Sequence, residues 1–407
     1  MADVKTVTGY LNALDALSDR RLEQSMYSEC DVLMDRVVLT LHGEEHALRR
    51  AIEWKLFRQN FNRYYEREVY PVTLKQTLAP YLTEGRMDLK EFGFRVNINL
   101  SADLSGIDRP AQTEEETDLL VSLSRKFGEG ATLFHSTRAK DQVRAEVSEA
   151  ITAFREQFWE PSRARRQAII DAISEGRQTD ADLPRDILTV LLVNRDKQQL
   201  DDAMILREIA FFMQAGAHSS SNTLAHAFHE IEQWCSEHPE DRLRIQQDPF
   251  FLQRCIHESL RLHPASPVAW RSAGCPFQLP DGQTVESSDA VVIDLLGANS
   301  EIDLFGHDAK AFNPHREVDK KVAPYGLSFG MGIHTCFGRD LAGGAIPSAD
   351  ADPETHHFGT LTSLLRNLYE VGARPDPDSP PTADEGTQRQ NWGRYPILLG
   401  TDGKGTI

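Results

Sequence analysis

Hydrophobic positions recur at helical spacing through most of the first two-thirds of the chain. The clearest run covers residues 200–236, where Ile205, Ile209, Phe212, Ala215 and Gly216 return on related turns. It predicts a helix about 55 Å long at 1.5 Å per residue, enough to cross a domain and organise its core. The centre of that run, residues 215–221, reads Ala-Gly-Ala-His-Ser-Ser-Ser. These are poor helix formers, and glycine alone costs about 1 kcal/mol against alanine. Something other than propensity selects them. After His263-Pro264 the pattern shortens to β-like runs at residues 277–279 and 290–296, with a turn signal at Pro280-Asp281-Gly282 between them. Residues 343–354 and 375–390 read as surface loops. There is no internal repeat, the length allows two or three domains or one large single core, and the texture is mainly α with a minor β region.

Charge narrows the partners. The chain has 407 residues with 62 acidic against 44 basic, a net charge of −18. Such a surface repels phosphate backbones and anionic lipid, so neither nucleic acid nor a membrane is expected as a partner. No run of about 18 apolar residues occurs, and residues 1–10 lack a signal-peptide pattern, so a soluble, cytoplasmic protein is expected. Five cysteines, Cys30, Cys235, Cys255, Cys275 and Cys336, are widely spaced with no Cys-x-x-Cys pair. That argues against a disulfide framework and for mostly inert, buried thiols.

The exception is Cys336, inside Phe329-Gly-Met-Gly-Ile-His-Thr-Cys336-Phe-Gly338-Arg-Asp-Leu-Ala. Glycines 330, 332 and 338 allow a tight backbone close to a flat ligand. Cys336 lies just before a predicted helix, whose amino terminus favours a thiolate. A thiolate can be the axial ligand of haem iron. The segment resembles the Phe-x-x-Gly-x-His-x-Cys-x-Gly signature of the cytochrome P450 family, met here by Phe329, Gly332, His334, Cys336 and Gly338. The resemblance makes Cys336 the metal ligand of haem b (iron protoporphyrin IX), with His334 at a propionate and Phe329 and Gly338 in the cofactor-binding loop.

Other segments agree in order. Glu258-Ser-Leu-Arg261 is similar to the family's Glu-x-x-Arg pair, whose members share a helix face. Phe312-Asn-Pro-His-Arg316 fits the segment that supplies a third, structural partner, either Arg316 or its rival His315. His46 and Arg50, four residues apart, and Arg271 on a later strand resemble the family's propionate ligands, and guanidinium suits a carboxylate. The resemblance covers the chain from about Leu41 to Leu399. It implies a single domain over residues 1–407, mainly α with a minor β region: a helical triangular prism with small sheets. Only 45 residues precede His46, so the first elements are expected to be abbreviated.

On the distal side, residues 215–220 lie where the family shows Ala-Gly-x-(Asp/Glu)-Thr-Thr. Gly216 would let substrate approach the backbone. Ser219 keeps a hydroxyl that can hold water or bond the i−4 carbonyl, and His218 replaces the acid and could relay protons near neutral pH. Phe211, Phe212, Ala215, Val268, Ala269 and Trp392 are pocket candidates.

The implied activity is that of a monooxygenase. It would oxidise an apolar or aromatic small molecule, by hydroxylation or epoxidation, with secondary metabolism as one setting. Electrons would come from NAD(P)H through an external ferredoxin or flavodoxin and its reductase. Arg49, Arg50, Lys55, Arg58, Lys320, Lys321 and Arg339 form the expected basic docking patch. Two alternatives stay open: a peroxide-using or substrate-rearranging haem-thiolate enzyme, and a non-catalytic binding module. In the 343–354 loop and after it, His356-His357 reads as a solvated helix start.

Overall fold

The computed structural model describes residues 3–287 and 289–400. Seven helices position the site: α1 (Gly43–Glu53), α2 (Leu89–Ser105), α3 (Glu114–Ala131), α4 (Asp202–Glu237), α5 (Pro249–Leu262), α6 (Arg339–Gly343) and α7 (Thr360–Glu370). The long helix α4 has 36 residues and runs unbroken through its poor helix formers. Those side chains are satisfied by their own helix. Ser219 Oγ donates to Ala215 O at 2.8 Å, Asn222 Nδ2 to His218 O at 2.9 Å and Thr223 Oγ1 to Ser219 O at 3.1 Å. Asp201 caps the start, accepting from Met204 N at 2.8 Å.

Helix α2 is the principal neighbour of α4, with α3 and α5 flanking it. The α2 crossing is close because each helix contributes a glycine. A Cβ at Gly93 would meet Leu224 Cδ2 at 2.8 Å, and one at Gly216 would meet Ser101 Oγ at 2.7 Å.

Strands β1 (Val4–Val7), β2 (Leu22–Gln24), β3 (Val268–Ala273) and β4 (Ala290–Asp294) form a sheet in the order β1-β4-β3-β2. β1 runs parallel to β4, and the other pairs are antiparallel. In β3, Ala269, Arg271 and Ala273 alternate inward. Register pairs Arg271 with Gln24. The expected strand 290–296 ends at Asp294, whose side chain accepts from Gly297 N at 2.8 Å and starts a helical turn, Leu295–Ala298. The expected loop 375–390 carries β5 (Thr382–Ala383), which pairs with β6 (Trp392–Arg394) in a hairpin. One core surrounds α4 and a second lies under the four-stranded sheet.

Helix α6 stops after five residues at Gly344, which has φ 76°. The chain then leaves and returns, with Ala345 N bonding His357 O at 2.9 Å. Gln253 Nε2 on α5 ties the neck, reaching Gly343 O at 3.0 Å, Ala345 O at 3.1 Å and Phe358 O at 3.2 Å. His356-His357 is therefore not a solvated helix start. His357 is 2% exposed, bonds Asp340 O at 2.6 Å and pairs with Glu66, while His356 reaches Gln253 Oε1 at 3.1 Å. Among the described residues no helix is long and apolar enough to cross a membrane.

Candidate functional site

The cysteine loop closes between the two cores. Cys336 N donates to Phe329 O at 2.9 Å, Gly330 N to Leu327 O at 2.8 Å and Thr335 Oγ1 to Gly332 O at 2.8 Å. Gly332, at φ 72°, has no room for a side chain, since a Cβ would lie 2.7 Å from Leu17 O. Phe329 wedges the loop against Tyr325, ring centroids 5.0 Å apart and edge-on. The outcome is a thiol exposed to an internal cavity of about 360 Å³ while its surroundings are protein. That burial pushes the Cys336 thiol pKa up, against the Gly338 N–H, Arg50 and Arg339, which favour the thiolate. The expected bias toward thiolate is thus outweighed by desolvation in the protein chain alone.

Beneath the loop sits a buried ionic network. Arg261, fully buried, donates to Glu258 from Nε at 2.8 Å and Nη2 at 2.7 Å, and its Nη1 reaches Asn299 O and Ala309 O at 2.6 Å. The third member is Arg316, whose Nε lies 3.0 Å from Glu258 Oε1. His315 turns away to Asp241 Oδ2 at 2.7 Å. These bonds lock Asn299, which holds Leu327 N at 2.7 Å through Oδ1 and so supports the loop from below.

One pole of the cavity is positive and under-satisfied. Arg50, Arg271 and His334 line it, with His46 behind, its ring centroid 4.7 Å from that of His334. Arg50 Nη2 donates to Thr335 O at 2.5 Å. Arg271 Nη1 reaches Gln24 Oε1 and Trp270 O, both at 2.9 Å. The Nε2 atoms of His46 and His334 are buried without a partner. Burial first, then the neighbouring cations, lowers His334 to about 3 and His46 to about 4. Among the described cavity-lining residues there is no Asp or Glu. Unpartnered imidazole nitrogens around two arginines with no internal anion suit a ligand bearing carboxylates, and the propionates of haem are such a pair. The cysteine loop and this pole together fit that group.

The opposite wall is α4. Phe211, Phe212, Ala215, Gly216, His218 and Ser219 line the cavity, as do Val268 and Ala269. Three expectations change here. The space left by the missing side chain of Gly216 is taken by Ser101 Oγ. His218, packed against Gly128 of α3, is lowered to about 3 by burial and by Lys90, Arg389 and Arg125, so it does not titrate near neutral pH. Trp392 is outside the lining and packs on His229, centroids 4.8 Å apart, and Tyr395, 5.5 Å. Arg389, in the same hairpin, lines the cavity instead.

The basic patch is also smaller than expected. Arg49 is 1% exposed and pairs with Glu208 at 2.5 Å, beside the buried Glu53, while Arg50 faces the cavity. Arg339 is paired with Asp340 at 2.7 Å. Lys55, Arg58, Lys320 and Lys321 remain exposed.

This fold is shared with solved structures. One described as CalO2 has a TM-score of 0.73 at 17% identity, covering 97% of this chain and 90% of that one. P450BioI in complex with a hexadecenoic-acid-ligated acyl carrier protein has 0.71 at 17%, covering 97% and 91%. These define a cytochrome P450 fold. The family model described as Cytochrome P450 matches residues 145–345. Cyclooctat-9-en-7-ol 5-monooxygenase of Streptomyces melanosporofaciens is 29% identical over 204 residues, 44% of this chain and 42% of that protein. C-19 steroid 1alpha-hydroxylase of Sorangium cellulosum is 26% identical over 308 residues, 74% and 69%. The chain spans about half the length of the first curated relatives it matches. It belongs to the cytochrome P450 family.

Proposed function

We propose that this chain is a haem-thiolate monooxygenase, a single domain that oxidises an organic small molecule with electrons delivered by a separate ferredoxin or flavodoxin. One observation carries the reading. A cysteine thiol held by main-chain turns opens into a cavity whose neighbouring pole is buried arginine and histidine with no acid to neutralise it. Haem, held by Cys336 with Arg50, Arg271 and His334 at its carboxylates and His46 supporting His334, would supply reductive activation of dioxygen.

The remaining work falls to the chain's own residues. Phe211, Phe212, Ala215, Val268 and Ala269 shed water and press an apolar body against the cavity wall. Ser219 donates its proton to Ala215 O and so presents lone pairs that can accept from a water. His218 is uncharged, so any proton it passes enters one ring nitrogen as another leaves. Glu258, Arg261 and Arg316 keep the cysteine loop in place. The exposed Lys55, Arg58, Lys320 and Lys321 suit an acidic electron donor, with NAD(P)H as the distant source.

A peroxide-using reaction is the second reading, favoured by the absence of any acid along the described lining. The relatives' names concern cyclooctat-9-en-7-ol and a C-19 steroid, and they support an apolar body for the substrate here too. The test begins with a compound library titrated against the haem-loaded protein, to find ligands that shift its spin state. The best ligand is then incubated with labelled dioxygen, NADPH, a ferredoxin and its reductase. One labelled oxygen atom in the product, dependent on the ferredoxin, is expected. Product from hydrogen peroxide alone, with none from the reductase chain, would replace the first reading with the second.

A further inference from the structure

The cavity holds a third arginine that the cysteine side does not use. Arg389 sits on the β5–β6 hairpin, and its side chain enters the cavity lining beside Tyr27 and Ser266. Among the described residues it has no ion pair. Its Nη2 lies 3.5 Å from Ser266 Oγ, a marginal contact, and its Nε is buried with no partner. Burial lowers its pKa, and the neighbour that opposes this is the Tyr27 phenol rather than a carboxylate.

The hairpin is pinned on both sides of this residue. Gln388 N bonds His135 O at 2.9 Å, Thr137 N bonds Gly386 O at 3.3 Å and Thr137 Oγ1 bonds Glu385 O at 3.0 Å. Arg389 N itself donates to Thr387 Oγ1 at 3.2 Å, and His226 bonds both Gln390 and Asn391. Arg389 is therefore placed rather than free to swing into solvent. Electrostatically it presses on His218 of α4 and on His135, whereas the histidines of the cysteine side respond to Arg50 and Arg271. It belongs to the α4 side of the cavity.

A desolvated cation without a counter-ion is costly to hold, and it is retained where a ligand supplies the charge. We infer that Arg389 is a specificity-determining residue that binds an anionic group, a carboxylate, on an otherwise apolar substrate, with Tyr27 and Ser266 as auxiliary hydrogen-bonding groups. This rests on the monooxygenase reading above and narrows its substrate class from apolar molecules to apolar acids. Guanidinium meets carboxylate through two parallel N–H···O bonds, which a hydroxyl cannot reproduce. In the larger open groove near Tyr64, Asp108 and Arg166, Arg109, Arg165 and Arg166 are already paired with Asp103, Asp108 and Asp186, and the remaining Arg185 is exposed to solvent rather than desolvated.

The test uses haem-loaded protein, with dodecanoate and dodecanol as probes and calorimetry as the readout. Wild type is expected to bind the acid at least about tenfold more tightly than the alcohol, about 1.4 kcal/mol. Arg389→Gln should bring the two together by weakening the acid alone, and Arg389→Lys should keep part of the preference. Equal affinities in wild type, or a preference that survives Arg389→Gln, overturns the inference. Equal affinities together with haem loss in Arg389→Gln would assign the arginine to the haem carboxylates and overturn it as well. The carbon monoxide spectrum of each variant is read separately. Loss of the thiolate signature in wild type would defeat the haem reading itself, whereas a normal spectrum without acid preference would defeat this inference alone.

Discussion

The two sides of the cavity are built on different principles. On the cysteine side, the loop is shaped by turns within residues 327–336 and carried by an i, i+3 pair on α5 to which Arg316 and Asn299 are tied. On the α4 side, the lining comes from segments far apart in the chain, with Tyr27, Thr132, Ser266 and Arg389 meeting α4. The scaffold beneath the cysteine loop also pairs its buried charges, apart from Arg50 and Arg271 at the cavity face. Glu258 engages both Arg261 and Arg316, whereas Arg389 across the cavity has no carboxylate. A paired buried charge stabilises a scaffold, and an unpaired one waits for a ligand.

The largest break in that contrast comes from removing one partner of the paired network. Glu258→Gln leaves Arg261 and Arg316 buried and uncompensated, and should cost about 3–5 kcal/mol of stability in chemical denaturation, with loss of haem retention. A cost similar to that of a surface substitution would show that the network does not support the loop.

Acid should act on both sides. His257, bonded to Gly343 O at 2.8 Å beneath the cysteine side, is lowered to about 4, and His226 behind the hairpin to about 3. Each takes a proton near its ordinary value of 6.5 only when unfolded. Their stabilisation is thus complete above that pH and is lost as pH falls toward the folded values. At about pH 5 each would have cost the fold about 2 kcal/mol. Thermal melts of wild type, His226→Gln and His257→Gln across pH should show a steeper acid loss in wild type than in either variant.

A smaller effect is expected at His218. His218→Ala should raise uncoupled peroxide release by less than about tenfold, below the 10²–10⁴-fold of a directly acting general acid. Unchanged coupling would leave His218 as wall only. Trp392→Phe, outside the lining, should leave ligand affinity unchanged, and a changed affinity would mean the hairpin moves with it.

Much of the cysteine side was legible in the sequence because its logic is spacing. Phe329, His334, Cys336 and Gly338 sit within one loop, Glu258 and Arg261 within one helical turn, and α4 announces itself by periodicity. The rest depends on which distant segments meet. Arg49 reads as a surface cation beside Arg50, yet one residue of helical rotation turns it inward to Glu208. His356-His357 reads as solvated because nothing local foretells Glu66 or Gln253 closing over it. Arg389 lies in a polar stretch that looks like open loop. A signal was present in the apolar Trp392 three residues on, which indicates that the segment packs, but not which residue it aims into the cavity.

The most direct test of the central claim is the carbon monoxide difference spectrum of the reduced, haem-loaded protein, taken beside Cys336→Ser. The account predicts a thiolate-type absorption band in wild type that disappears in the variant while the far-ultraviolet signature of the helices persists. A wild-type spectrum of nitrogen-ligated haem, or a thiolate band that survives Cys336→Ser, would contradict it.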